Sequence, residues 1–328
     1  MPISRLNKVI GITMGDAAGI GVEVILKALA NKEFRKRKFL VIGDKKVIKD
    51  NCRRLNVPLS EQTEILDLSN INHKFKVGKI DKRLGKASVE YIKKGVELAK
   101  EKEIDALVTA PISKEAMNLA GFCYPGHTQL LAELTRTKYT AMMFSSSFLK
   151  VVLVTTHLPL KKVSYLLSKG NIYKTIKLTD IFFKKHFRKE VLKIGVAAFN
   201  PHAGEKGIFG KEEEEIRKAV RKAKQNGISA EGPIPADVLF HQAYLKKYNA
   251  VIAMYHDQGL IPLKMLAFDK GVNITIGLPI IRTSPCHGTA FDIAGKGIAN
   301  PSSLIEAIKM AIFLANNCGE TRCPNISL

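Results

Sequence analysis

The sequence predicts an α/β fold built from mainly parallel sheets that carry helices on both faces. Short apolar runs rich in Val and Ile alternate with amphipathic helical segments along the 328 residues, and this alternation is typical of parallel strands joined by helices. A hydrophobic content of 46% beside 25% charged residues places the chain in the globular class. The length permits one large unit or two subdomains that share a cleft.

The predicted elements follow one another in chain order, each strand being an apolar run between polar or Gly/Pro residues. Strands are predicted over 8–15, 39–44, 106–111, 140–146, 149–157, 193–200, 248–256 and 273–284. Helices are predicted over 21–30, 87–102, 114–121, 127–135, 161–187, 212–227, 235–248 and 301–317. We expect the strands at 140–146 and 149–157 to pair as a hairpin.

Three apolar runs, which include the predicted strands at 149–157, 193–200 and 248–256, stop at a histidine, namely His157, His202 and His256. Because the carboxyl ends of strands line the ligand crevice of an open α/β sheet, we expect the three imidazoles at one edge. Three nitrogen ligands with a fourth position open describe a catalytic metal site, and Asp257 could orient His256 as a hydrogen-bond acceptor. The alternative is that each histidine makes one ordinary hydrogen bond at a loop, but the set of three favours the metal site.

The sequence gives no indication of a membrane or secreted protein. Its longest apolar stretches fall short of the roughly 20 residues of a spanning helix. The N-terminus runs into a strand without the organisation of a signal peptide. The five cysteines are scattered and form no CxxC pattern, so we expect a reducing, cytoplasmic compartment.

A formal net charge of +22 raises the question of nucleic-acid binding. Most of the positive residues are lysines spread along helical segments, and the denser runs lack regularly spaced aromatic residues. A solvated lysine-rich surface is therefore the better interpretation, with attraction of an anionic substrate as a secondary effect.

A Gly/Pro-rich loop at 121–126 leads into His127, Thr128 and a predicted helix. Backbone N–H groups at a helix start, beside a hydroxyl and an imidazole, form an anion site. The alternative is that Thr128 is only a helix cap, and the residues alone leave both interpretations open.

Three polar residues, Lys264, Asn273 and Arg282, interrupt otherwise apolar segments. A charge buried there needs an anionic partner, because an unpaired buried charge is costly. Arginine suits a carboxylate or phosphate, which indicates an anionic substrate. The alternative is a structural ion pair with Asp269 or Asp237.

Two glycine-rich loops complete the candidate site. In the segment 287–301, Asp292 could bond the ribose hydroxyls of an adenine nucleotide and would disfavour a 2′-phosphate. The segment 15–21 reads GDAAGIG and matches neither the Rossmann fingerprint nor the P-loop. We interpret it as a strand-to-helix turn that lines the cleft.

Seven motifs follow one another nearly from end to end of the chain. They are ITMGDAAGIGVEVILKAL, LVTAPISKEAMNLAGFCYPGHTQLLAEL, VTTHLPL, AFNPHAGE, GPIPADVLF, MYHDQGLIPLK and GVNITIGLPIIRTSPCHGTAFDIAGKG. Together they resemble the 4-hydroxythreonine-4-phosphate dehydrogenase family of vitamin B6 biosynthesis. The resemblance implies an isocitrate/isopropylmalate-dehydrogenase-like fold, because the last motif also resembles the adenine-binding loop of isopropylmalate dehydrogenases. It implies approximate subdomains 1–125 with 265–328 on the cofactor side and 126–264 on the metal and dimer side.

The resemblance also assigns roles to individual residues. The implied metal ligands, one of them supplied by the partner in a homodimer, are His157, His202 and His256. The implied substrate-binding residues are His127, Thr128, Lys264, Asn273 and Arg282. The implied catalytic residues are Lys264, Asp237 and Asp257. The implied cofactor-binding residues are His287, Gly288, Thr289, Asp292, Gly295 and Asn300.

The activity implied by the resemblance is oxidation of 4-phosphooxy-L-threonine at C3 by NAD, followed by decarboxylation to 3-amino-2-oxopropyl phosphate. NADP is the alternative cofactor. A divalent metal acts in this family as a Lewis acid, and three imidazoles favour Zn²⁺ or Co²⁺ over Mg²⁺. The expected partners are a small phosphorylated hydroxy acid and a second copy of the chain, with neither nucleic acid nor membrane.

Two alternatives to this activity stay open. The short motifs GDxAGIG, YPGHT and IPLK also resemble those of sibling dehydrogenases that convert 4-phospho-D-threonate or 4-phospho-D-erythronate to dihydroxyacetone phosphate. A zinc hydrolase is a more distant alternative. The sequence also departs from the family at Cys286, where relatives often have Asp, and at Ala17, where they often have Pro.

Overall fold

The computed structural model describes residues 8–188 and 192–318, which divide into two compact units. Unit 1 holds the described residues up to Lys138 together with Leu278–Asn316, and unit 2 holds Tyr139–Gly277 with the described residues 317 and 318. The boundaries between the units follow Lys138 and Gly277. Both lie 13 residues further along the chain than the approximate subdomain boundaries predicted at 125/126 and 264/265.

Unit 1 is an α/β unit with five strands. Its strands are β1 (Val9–Thr13), β2 (Lys38–Gly43), β3 (Thr63–Asp67), β4 (Ala106–Thr109) and β11 (Arg282–Pro285). Its helices are α1 (Gly21–Leu29), α2 (Lys45–Leu55), α3 (Lys82–Glu101), α4 (Lys114–Leu119), α5 (His127–Leu134) and α11 (Ser302–Asn317). The strand order is β3-β2-β1-β4-β11, and every neighbouring pair is parallel.

The described part of unit 2 contains six strands and five α-helices. Its strands are β5 (Ala141–Ser145), β6 (Lys150–Leu153), β7 (Ile194–Ala197), β8 (Ala230–Ile234), β9 (Ala250–Ala253) and β10 (Val272–Ile276). Its helices are α6 (Leu160–Leu166), α7 (Lys169–Phe187), α8 (Glu213–Gln225), α9 (Ala236–Tyr244) and α10 (His256–Ala267). The strand order is β10-β5-β6-β9-β7-β8.

The pairing in unit 2 confirms both predictions made for its strands. The run β6-β9-β7-β8 is parallel throughout, whereas β5 pairs antiparallel with β6 as the predicted hairpin. The short strands β6, β7 and β9 are almost fully buried, as expected of parallel strands covered on both faces. The α/β class with mainly parallel sheets is confirmed.

One predicted strand is wrong. The apolar segment 273–284 forms two strands, β10 and β11, instead of one. The interruption falls at Gly277, whose φ of +96° lies in the left-handed region and whose Cβ position would meet Tyr139 O at 2.5 Å. A side chain there would be both strained and obstructed, so the glycine ends β10.

The helices are short relative to a lipid bilayer or carry too many charged residues. Within the described parts of the chain, none is long and apolar enough to span a membrane.

Candidate functional site

The three histidines at predicted strand ends follow three adjacent strands of unit 2. His157 comes after β6, His256 after β9 and His202 after β7, and these strands are neighbours in the order β6-β9-β7. Since the three strands run parallel, their carboxyl ends share one edge of the sheet. The sequence-based placement of the histidines at that edge is correct.

His157 and His256 lie beside each other at this edge. Their ring centroids are 5.7 Å apart, and both line a cavity of about 480 Å³. His256 begins α10, and its Nδ1 lies 2.7 Å from Oδ1 of Asp257. A carboxylate at this nitrogen favours the tautomer with hydrogen on Nδ1, which leaves the Nε2 lone pair for a ligand.

His202 occupies an unusual backbone segment. Five consecutive residues, from His202 to Lys206, have positive φ, His202 itself having φ 50° and ψ 29°. Each non-glycine residue in the left-handed region costs about 1 to 2 kcal/mol. Such a run persists only where its surroundings fix it.

Two carboxylates at the start of α8 fix the segment that carries His202. Glu213, only 1% exposed, accepts hydrogen bonds through Oε1 from the backbone N–H of Phe199 and Asn200 at 3.0 and 2.7 Å. Glu212 accepts one from the Asn200 side-chain amide at 2.8 Å. Its other oxygen accepts from Ser164 Oγ at 2.7 Å, and these two bonds lower the pKa of Glu212, so it is ionised.

A second, larger cavity of about 650 Å³ adjoins His202. It is also lined by Asp237, Asp257, Tyr255 and Gln258. Gln258 fixes its wall, since its amide donates to Ala198 O and accepts from Met254 N, both at 2.7 Å. Tyr255 and Asp257 line both cavities, so the predicted acidic residues Asp237 and Asp257 do lie at the histidine edge.

The donor set at this edge suits a borderline metal such as Zn²⁺ or Co²⁺, because it offers imidazole nitrogens. Within residues 8–188 and 192–318 of one chain, however, no three His, Cys, Asp or Glu side chains converge closely enough to hold an ion. The three histidines share an edge without forming a closed site in one chain. That a second subunit completes the site stays a prediction.

Two predicted substrate-binding residues also lie in unit 2. Lys264 is on α10, half-buried, with its Nζ 5.4 Å from the centroid of the Phe268 ring. Asn273 is on β10, and its buried Oδ1 has no hydrogen-bond partner among the described residues. No ion pair joins Lys264 to Asp269 or Asp237 in the described part of unit 2, so the structural ion-pair alternative is wrong for this lysine.

Unit 1 carries the other predicted anion-binding residues. Arg282, at the start of β11, is 1% exposed and donates from Nε and Nη2 to Thr109 Oγ1 at 3.1 and 2.6 Å. His127 is the first residue of α5. The preceding Gly126 occupies the N-cap position, so no side chain caps the start of this helix. Neither His127 Nε2 nor Thr128 Oγ1 has a hydrogen-bond partner among the described residues although both atoms are buried. Thr128 is therefore not the cap of α5.

The electrostatics of this group favour an anion. Burial lowers the pKa of His127 well below its ordinary value, and the positive charges of Arg282 and Lys114 lower it further. The imidazole is thus neutral at neutral pH and can donate a hydrogen bond without adding charge. Burial lowers the pKa of Arg282 to about 9 while Cys286 opposes the shift, so the guanidinium stays charged at neutral pH.

The predicted cofactor loop is attached to α1 of unit 1. Lys27 donates to the carbonyls of Gly297 and Ala299 at 2.8 and 2.9 Å, and buried Glu23 accepts from Ala299 N at 2.8 Å. Thr289 O accepts from Ile20 N at 3.0 Å. The loop backbone is thereby fixed. The six predicted cofactor-binding residues all lie in it, and their role stays a prediction.

The glycine turn GDAAGIG lies beside the same loop. At Gly19 a Cβ would meet Thr289 O at 2.9 Å, which explains a glycine at this close approach. Asp16 within the turn is 1% exposed. Burial raises its pKa to about 6, against the lowering effect of a hydrogen bond from Ala18 N, and the nearby Asp81 raises it further.

Several residues that hold the candidate site residues in place were not predicted from the sequence. Glu212 and Glu213 belong to a run of four glutamates in a lysine-rich helical segment, which has the composition of a solvated helix face. Thr109 lies within the LVTAPISK motif but was not singled out there, and Ser164 lies in none of the seven motifs. The signal available for Glu213 was the NPHAG segment upstream, whose backbone amides need acceptors.

Comparison with known proteins places the chain in a family. The family model for the pyridoxal phosphate biosynthetic protein PdxA matches residues 35–311. The 4-hydroxythreonine-4-phosphate dehydrogenase of Desulforapulum autotrophicum is 46% identical, with 96% of this chain and 97% of the relative covered. The D-threonate 4-phosphate dehydrogenase of Cupriavidus necator is 43% identical, with 94% and 97% covered. A crystal structure of 4-hydroxythreonine-4-phosphate dehydrogenase from Klebsiella pneumoniae is 39% identical with a TM-score of 0.87, and 94% of this chain and 98% of that chain are covered. This chain is a member of the PdxA family.

Proposed function

We propose that this protein is a metal- and NAD-dependent dehydrogenase that oxidises 4-phosphooxy-L-threonine at C3 and decarboxylates the product to 3-amino-2-oxopropyl phosphate. The observation that carries the proposal is the placement of His157, His202 and His256 after three adjacent parallel strands. Membership of the PdxA family and the dehydrogenase names of its relatives support it.

The three histidines would hold the metal, with one of them supplied by a second subunit. When bound, the ion supplies Lewis acidity toward a substrate oxygen. Asp257 keeps hydrogen on His256 Nδ1 and so orients that ring. Asp237 faces the same edge from the cavity beside His202 and can exchange a proton with the substrate there.

The phosphate and carboxylate of the substrate call for cationic and N–H donors. In unit 1 these are the charged Arg282, the neutral imidazole of His127 and the hydroxyl of Thr128. In unit 2 they are Lys264 and the amide of Asn273. Thr109 accepts two hydrogen bonds from Arg282, so the guanidinium is oriented before an anion binds.

We also propose that the active form is a homodimer. A stripe of exposed apolar side chains lies on α10 and just beyond it, consisting of Ile261, Met265, Leu266 and Phe268, which are 58%, 81%, 39% and 71% exposed. Because α10 begins at His256, a second copy covering this stripe would approach the histidine edge. Exposed apolar patches of this kind mark interaction surfaces.

The second candidate function is that of the sibling dehydrogenases, which act on 4-phospho-D-threonate. Relatives with both names are similar to this chain to nearly the same degree. The two substrates differ at C2, where an amine stands in one and a hydroxyl in the other.

The test is a side-by-side assay of both substrates with NAD and with NADP, with and without a chelator, together with metal analysis of the purified protein. We expect NAD reduction that is lost with the chelator and restored by Zn²⁺ or Co²⁺. A preference of more than about a hundredfold, or about 2.7 kcal/mol, decides between the substrates. Absence of NAD(P) reduction with both substrates contradicts the proposal.

A further inference from the structure

We infer that Glu212 is a positioning residue that sets the separation of the metal-binding segments carrying His157 and His202. The inference rests on the proposed function, because it presupposes that His157 and His202 of one chain bind the same metal ion while His256 comes from the second subunit. The carboxylate of Glu212 is the bridge between the two segments.

The first side of the bridge reaches the His157 segment. Glu212 Oε1 accepts a hydrogen bond of 2.7 Å from Ser164 Oγ. Ser164 lies on α6, which begins at Leu160, three residues after His157. Leu160 and Val163 of this helix line the cavity that holds His157. A shift of α6 would therefore move the histidine.

The second side of the bridge reaches the His202 segment. Glu212 Oε2 accepts a hydrogen bond of 2.8 Å from Asn200 Nδ2, two residues before His202. Gly210 lies against both groups, since a Cβ there would collide with Asn200 Nδ2 and would lie 2.6 Å from Glu212 Oε2. A side chain at this position would push the amide and the carboxylate apart, so the glycine leaves room for their hydrogen bond.

Glu213 differs from Glu212 in the residues to which it is hydrogen-bonded. Its three hydrogen bonds all go to Phe199 and Asn200, so it holds the left-handed segment to α8. Within residues 8–188 and 192–318, the hydrogen bonds of Glu212 join that segment to α6. Removing Glu212 should thus leave the fold of each segment in place but loosen the spacing between them. Metal affinity should then fall, because ligand positions must be held to about 0.5 Å.

The experiment measures Zn²⁺ affinity of the full-length, metal-stripped protein by competition with a chromophoric chelator. Four variants are compared with the wild type: Glu212→Ala, Ser164→Ala, the double variant and Glu214→Ala. Glu214 is the matched control, because it neighbours Glu212 in sequence, and its ion pair of 3.6 Å with Arg217 stays within α8. Thermal unfolding of each metal-free protein reports on the fold separately.

We expect Glu212→Ala to weaken Zn²⁺ binding about 10- to 100-fold, the usual effect of losing a group that orients ligands. Ser164→Ala should weaken it less, the double variant should be no worse than Glu212→Ala alone, and Glu214→Ala should bind as the wild type does. A merely structural role would lower the unfolding temperature without this pattern in affinity.

Wild-type Zn²⁺ affinity in Glu212→Ala overturns the inference. Should that variant not fold, wild-type affinity in Ser164→Ala overturns it, because the loss of one hydroxyl breaks the same bridge. Failure of the wild-type protein itself to bind Zn²⁺ or Co²⁺ would instead contradict the proposed function, and the inference with it.

Discussion

The imidazole rings of His157 and His256 lie 5.7 Å apart between centroids, inclined at 42° to each other. They arrive there from adjacent parallel strands, one through a loop after β6 and the other at the first residue of α10. Two side chains that are 99 positions apart in the sequence are thus brought together by the sheet order alone.

Removal of His157 should abolish tight metal binding. We expect His157→Ala to lower Zn²⁺ affinity at least about a hundredfold, a larger effect than that of a residue that only orients a ligand. His241→Ala is the control, because that histidine is exposed on α9. Equilibrium dialysis with metal analysis measures both, and equal affinities in the two variants would exclude His157 as a ligand.

Replacement of Asp257 by Asn should weaken metal binding without abolishing it. Its carboxylate lies 2.7 Å from His256 Nδ1, and Asn would keep an acceptor oxygen but lose the negative charge that favours hydrogen on Nδ1. Changing the partner of a ligand histidine lowers metal affinity about 10- to 100-fold. The measurement is the Zn²⁺ dissociation constant, with the exposed Asp269→Asn as the matched control. An unchanged constant in D257N would show that the contact does not orient a ligand.

The raised pKa of Asp16 predicts that Asp16→Asn is more stable than the wild-type protein, by an amount that depends on pH. Its pKa is raised from 3.8 to about 6 by burial, so folding places a charge in an unfavourable site above pH 6. Asp16→Asn should raise the free energy of unfolding by up to about 3 kcal/mol at pH 8. As the pH falls through 6, the folded wild-type protein takes up the proton, and the gain should shrink until it vanishes near pH 4.

Urea denaturation of both proteins at pH 8, 6 and 4 measures this dependence. The sign is the informative part, because an aspartate whose pKa is lowered by ion pairs or hydrogen bonds would instead stabilise the fold as the pH rises. A difference that stays constant across the three pH values would mean that Asp16 is not titrated in this range.

The apolar stripe on α10 predicts a subunit contact. Met265 is 81% exposed, and a charge at the centre of an apolar interface is costly to bury. We expect Met265→Glu to be a monomer by analytical ultracentrifugation and to lose chelator-sensitive activity, since one metal ligand comes from the partner. Gln225→Glu, an exposed position of α8 with the same change in charge, should stay dimeric. A dimeric M265E would place the contact elsewhere.

Much of this architecture could be predicted because the apolar runs are distinct. The buried strands β6, β7 and β9 were located by their Val- and Ile-rich runs, and the histidines after them were placed at one edge. The segment 257–267 received no helix prediction, since Gly259 and Pro262 within it lower helix propensity. Strand β3 was missed because its residues are only partly buried or exposed.

The supporting contacts of the site could not be predicted. Arg282 was recognised as a buried cation, but its acceptor Thr109 lies 173 residues away. Likewise Glu213 has the sequence context of a solvent-facing residue, and only the tertiary structure shows that backbone amides surround it. Such pairings depend on how elements meet in space, which local composition does not encode.

The left-handed turn from His202 to Lys206 also limits how this chain can diverge. Glycine would relieve the backbone at Ala203 or Lys206, whereas a β-branched residue would add strain at either position. Gly204 already is a glycine, and a side chain there would collide with the Glu213 carboxylate, 2.7 Å from the Cβ position. All three positions therefore favour glycine or a small unbranched residue, and sequence drift past His202 is confined to a narrow set of such residues.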